Sequence, residues 1–173
     1  MVAEKKTNQI DWKKQLNKLI KYSKKNGYEV KVEKAKGGIS TICFETKVIT
    51  IHSRYPKERQ LYTLLHELGH FLIHRDQKEY TRGIGYVPTY YDNKSIINKL
   101  SEVEEEFEAW RQGRELAKKL KIKIDRDNFE KFKASLLTTY FMWAMKSKIN
   151  KKIKKEMAIK KHGKRKVHRK HKQ

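Results

Sequence analysis

The leucine spacing between Leu61 and Leu72 limits how this chain can fold more than any other feature. Leu61, Leu64, Leu65, Leu68 and Leu72 recur at the three- and four-residue intervals of a helix with one apolar face. His66, Glu67 and His70 are set into the same stretch, so the helix carries three polar side chains to the border of the core. Side chains at i and i+4 lie one above the other. The two imidazoles of His66-Glu67-Leu68-Gly69-His70 can therefore grip one metal ion. Glu67, one residue past the first ligand, can reach the ion's water as general base. Gly69 costs a helix interior about 1 kcal/mol against alanine. Its use inside the motif predicts close approach of another backbone beside the histidines.

Ligand type selects the metal. Two neutral imidazoles and a carboxylate suit a tetrahedral Zn²⁺ with a position left open for water. Such an ion lowers the pKa of its water from about 15.7 to about 7. A closed structural zinc site is usually rich in cysteine, and Cys43 is the only one here, which excludes a closed thiolate site and an intramolecular disulfide. The expected chemistry is zinc-dependent hydrolysis of peptide bonds, with His66 and His70 as ligands and Glu67 as the catalytic residue.

The flanking sequence reads as alternating elements. Residues 8–26, with Ile10, Leu16, Leu19, Ile20 and Tyr22 among lysines, predict an amphipathic helix ending near Gly27. Tyr28 to Val32 alternate as a strand does, and Lys36-Gly37-Gly38 marks a turn. Ile39 to Phe44 and Lys47 to His52 predict a hairpin around Glu45-Thr46. Pro56 suits the first turn of the motif helix. A long helix is expected from about Lys94 to Leu120, and an aromatic one over residues 127–145 with Phe129, Phe132, Leu136, Tyr140 and Trp143.

The third ligand should come from the long helix, which holds Glu102, Glu104, Glu105, Glu106 and Glu108. Such a run is ordinarily a solvated face. Val103, Phe107, Trp110 and Ala117 mark one apolar face; Ala109, Gly113, Leu116 and Leu120 mark a second, built of smaller residues. Glu108 and Glu105 border the small face, and periodicity does not choose between them; Glu104 is a further candidate. His74 can reach the edge of the site or serve structurally, and Tyr86, Tyr90 or Tyr91 could donate to an oxyanion or be ordinary loop aromatics.

Charge adds a second theme. Lys and Arg number 43 against 20 Asp and Glu in 173 residues, a net +23. Residues 146–173 hold fourteen of the basic side chains and one acid, Glu156. A segment with so little to bury has no core of its own and suits a polyanion, nucleic acid first, through counterion release. The expected organisation is a domain over residues 1–145 and a Lys/Arg-rich tail over 146–173. No apolar run approaches the length of about 18 residues that spans a membrane, so no membrane partner is expected and the chain reads as intracellular.

Several blocks together resemble the ImmA/IrrE zinc metallopeptidases. They are the Gly38–His52 hairpin, Glu58-Arg59-Gln60 leading into the motif, the nonamer ending at His74, and the later Glu106-Phe107-Glu108-Ala109. The resemblance covers about residues 28–118. It implies an α+β fold, a small mixed sheet packed on the motif helix with further helices around it. It implies Glu108 as third zinc ligand, because the family's ligand precedes the alanine. It also implies proteolysis of, or docking onto, DNA-binding proteins in a bacterial or phage-infected cytoplasm. The sequence departs from the family pattern at Trp110, Gln112 and Gly113 and lacks the later Met-Pro segment. The rival reading is a non-catalytic zinc-fold component that binds nucleic acid or serves a phage nucleoprotein assembly. Retention of Glu67 favours catalysis, since a scaffold has no need of it.

Overall fold

The computed structural model describes residues 10–34, 40–76 and 96–146. Its first helix, α1 (Trp12–Lys25), starts where the Asp11 carboxylate accepts the Lys14 amide at 2.9 Å. Leu16, Leu19 and Ser23 form its buried side. Gly27, at φ +83°, ends it: Tyr28 N–H bonds to the Ser23 carbonyl and Gly27 N–H to that of Lys24. This is the paired closure that a left-handed residue just past a helix permits.

The chain then forms a three-stranded sheet in the order β1-β3-β2. β1 (Glu29–Glu33) runs parallel to β3 (Val48–His52), and β2 (Thr41–Cys43) runs antiparallel to it. The expected hairpin is therefore the β2–β3 pair, with a turn at residues 44–47 that places Lys47 at φ 56°. Ile49 and Ile51 point from β3 into the core beneath α2 (Lys57–Arg75).

α2 is more deeply placed than a one-faced helix. Every residue from Gln60 to Gly69 is buried. The sheet and α1 cover one side, and α3 (Ile96–Lys119) crosses the other. A Cβ at Gly69 would fall on the Ala109 carbonyl, and one at Gly113 on the Leu65 carbonyl. Two backbone-to-backbone contacts thus set the crossing, as Gly69 predicted. α4 covers residues 126–146. Asp125 caps it by accepting the Asn128 amide at 2.9 Å, and Phe129 and Phe132 meet Trp110 edge-on.

The result is the expected α+β arrangement, a small mixed sheet on the motif helix with helices around it. No helix among the described residues is long and apolar enough to cross a membrane. The expectations for the Lys36–Gly38 turn, for Tyr86, Tyr90 and Tyr91, and for the tail after Lys146 lie outside the described residues.

Candidate metal centre

α2 projects His66 and His70 toward α3, which brings Glu106 to meet them. The two Nε2 atoms lie 3.3 Å apart. Glu106 Oε2 lies 3.2 Å from His66 Nε2, and Glu106 Oε1 lies 3.5 Å from His70 Nε2. Four-coordinate zinc with bonds of about 2.0–2.1 Å places its ligand atoms about 3.3–3.4 Å apart. The His66–His70 edge matches that spacing, and each imidazole faces a different Glu106 oxygen, with one ligand atom from each of the three residues within 4.8 Å of the others. Glu106 Oε2 is buried without a hydrogen-bond partner despite the nearby imidazole. Three electron-pair donors aimed at one point fit a cation at their centre. These residues fit the metal that the motif implies.

A second layer orients the ligands. His70 Nδ1 stands 3.2 Å from Glu105 Oε1, a contact that in a metal-bound, neutral imidazole would keep the proton on Nδ1 and leave Nε2 as the ligand atom. His66 lies flat against Trp110, centroids 4.4 Å apart and planes 22° from parallel. Tyr140 of α4 shares the cavity wall with Glu106, and burial followed by the Glu106 charge raises the phenol above its ordinary range. Burial alone would lower His70, but the Glu105 and Glu106 carboxylates outweigh it and raise the imidazole to about 10 without a metal. Burial alone would raise Glu106, and the two imidazoles outweigh that and hold it at about 2.

Glu67 is buried beside this trio, and burial pushes its carboxyl up despite the neighbouring histidines. The two imidazoles and the backbone of edge strand β2 at Ile42 act against that rise. Glu67, His66 and Glu106 share the wall of one cavity of about 370 Å³. A carboxylate held next to the ligands and open to the same space can exchange a proton with whatever occupies it.

Glu108 is not brought to the histidines. Its carboxylate accepts Arg111 Nε and Nη2, each at 2.6 Å, and Gln112 Nε2 at 2.7 Å. Glu106 occupies the position expected of it. At about 100° per residue, Glu106 lies within about 20° of Gly113 around the helix, Glu105 about 80° away, Glu108 about 140° and Glu104 about 180°. Since Gly113 touches the backbone of α2, it marks the inward face. That signal was in the sequence, but the expectation of Glu108 followed the family resemblance and not the helix geometry; Phe107, read as part of an apolar face, is 45% exposed. Glu105 reaches the site as the partner of His70. His74 stacks on Phe44 at 4.3 Å and stands outside the trio. Cys43 donates to Glu45 in the hairpin, consistent with a centre that uses no thiolate.

Two histidines one turn apart, a carboxylate from a second helix and a buried glutamate beside the first histidine make a centre of metallopeptidase type. Residues 20–95 match the family model described as the IrrE N-terminal-like domain, which supports the ImmA/IrrE-like metallopeptidase family for this chain. The matched span includes His66, Glu67 and His70 and stops before α3, so Glu106 lies beyond it. No curated protein and no solved structure matches the chain.

Proposed function

We propose that the protein is a zinc-dependent metallopeptidase that hydrolyses peptide bonds of a protein substrate associated with nucleic acid. The observation that carries this reading is the convergence of His66, His70 and Glu106, with His66, Glu106 and a buried Glu67 lining one cavity. His66, His70 and Glu106 would hold the ion, which supplies Lewis acidity toward a carbonyl oxygen and toward water. Glu67, buried on the wall of the same cavity, would take the proton of the attacking water and deliver it to the leaving nitrogen. Glu105 keeps His70 in the tautomer that binds metal, and Trp110 keeps the His66 ring in plane. The basic segment after Lys146 would hold the enzyme on nucleic acid and raise the local concentration of substrates bound there.

Metal analysis together with Glu67→Gln tests the reading. The purified protein should carry close to one zinc per chain, and the variant should keep it. Proteome-derived peptides should be cut by the wild type and left intact by the variant. Identical fragment patterns from the two proteins would leave a zinc-binding scaffold as the function.

A further inference from the structure

The solvent side of α1 carries a pattern that the metal centre does not use. The helix has six lysines and no Asp or Glu. Four of them, Lys14, Lys18, Lys21 and Lys25, fall at intervals of four, three and four residues, which at about 100° per residue sets them within about 60° of one another. All four are exposed, and Leu16, Leu19 and Ser23 bury the opposite side. The turn after α3 adds to this face. Lys18 Nζ donates to the Lys121 carbonyl at 3.4 Å, and the Lys123 amide donates to Gln15 Oε1 at 3.1 Å. Lys121 and Lys123, both exposed, therefore stand beside the stripe. Among the described residues, none of these stripe and turn lysines is in an ion pair. Asp11 shares a groove with Lys14, Lys18 and Lys21, and its carboxylate accepts the Lys14 amide.

Local stability would not choose this arrangement. Like charges three or four residues apart on a helix repel, and cations in the first turn oppose the helix dipole. Lys121 holds φ 51°, where glycine would sit without strain. A polyanion laid on the face turns the same charges into attraction. The row from Lys14 to Lys25 is about 16 Å long at 1.5 Å per residue, which faces roughly five phosphates of one duplex strand. Trp12 and Tyr22, the aromatic residues of α1, are packed on the core, so the face offers no ring on which an unstacked base could lie. None of the large hydrophobic side chains exposed among the described residues belongs to α1 or to the turn, so the face has nothing to insert into a lipid surface.

We infer that this lysine face is a second nucleic-acid contact, one that lies along the phosphate backbone of a duplex without reading its sequence. It extends the nucleic-acid part of the proposed function to the folded domain and needs neither the basic tail nor the metal centre. The test uses full-length protein and a short mixed-sequence duplex, with binding read by fluorescence anisotropy between about 50 and 200 mM salt. Lys14→Gln, Lys18→Gln and Lys21→Gln together should lower the slope of log K against log[salt] by about two to three and weaken binding about 10²- to 10³-fold at the low-salt end. Gln keeps the helix propensity and removes the repulsion, so this triple variant should melt no lower than wild type. The charge-matched set Lys34→Gln, Lys57→Gln and Lys131→Gln, exposed lysines outside this face, should stay within about threefold of wild type. Lys121→Gly should raise the denaturation midpoint and lower the slope by about one.

An unchanged slope in the triple variant overturns the face. Equal losses in the triple and charge-matched sets overturn it too, by making net charge the cause. If only Lys164→Gln, Lys166→Gln and Lys170→Gln in the tail weaken binding, the face fails and the tail reading stands. A single strand bound more tightly than the duplex overturns the duplex assignment. Binding to phosphatidylserine vesicles through Lys14, Lys18 and Lys21, with none to the duplex, overturns the nucleic-acid assignment in favour of a lipid surface.

Discussion

His70 is held from both sides, by Glu105 at Nδ1 and by the Glu106 carboxylate near Nε2. Without metal this pairing raises its pKa from 6.5 to about 10. A raised pKa stabilises the fold fully below the unfolded value, and the gain is lost as pH rises through the folded one. Chelator-treated protein should therefore become easier to denature between pH 6.5 and 10, read by urea midpoints. A flat profile over that interval would show that the pair contributes nothing. Glu106, held at about 2 against an ordinary 4.5, contributes above 4.5 and loses its contribution only as pH falls toward 2. Metal replaces the proton on the ligand nitrogen, so loading should strengthen as pH rises. Glu105→Gln should weaken zinc affinity by about 10- to 100-fold, measured by chelator competition, because it removes the support of a ligand and not the ligand itself. Glu106→Gln should lose more than that. Glu108→Gln should stay within about threefold of wild type, since its partners are Arg111 and Gln112; a large loss there would return the ligand role to Glu108.

The α2–α3 crossing is the element on which the centre depends. Ala at Gly69 gains helix propensity of about 1 kcal/mol but must displace the Ala109 carbonyl, and overpacking of this kind costs about 1–3 kcal/mol or more. Gly69→Ala and Gly113→Ala should both lower the denaturation midpoint and weaken zinc binding together, because helices pushed apart also separate Glu106 from the histidines. A variant that loses stability with zinc affinity unchanged would uncouple crossing from site. The same crossing explains what sequence could reveal. Leu61 to Leu72 showed a helix and Gly69 a close contact, because periodicity and glycine cost are local properties. The β2–β3 hairpin was legible from its β-branched runs. Which of five glutamates faces α2 depends on where a second helix lies, a tertiary fact. Tyr140 and Trp143 could be read as helix aromatics but not as cavity wall, because α4 meets the site only through folding.

At the scale of the whole chain, charge is divided unevenly between site and surface. Among the described residues no Lys or Arg lines the cavity, while residues 146–173 hold fourteen. If those side chains engage about six to ten phosphates, nucleic-acid affinity should fall roughly 10³- to 10⁵-fold between 50 and 200 mM salt. Deleting residues 147–173 should remove most of that binding and leave zinc content unchanged. Binding that persists after deletion at the same salt slope would assign it to another surface. The paired contacts of Gly69 with Ala109 and Gly113 with Leu65 bear on the architecture in a further way. They locate α3 against α2 by local fit, like two toothed parts that mesh at one setting only. The length of chain between the helices then carries little information about the centre. Doubling that connection costs only about 0.6 kcal/mol, and the teeth still engage where they did. The metal-binding centre is thus a joint between two separable pieces, one bearing the histidines and the other the glutamate, and the same joint could be remade from fragments.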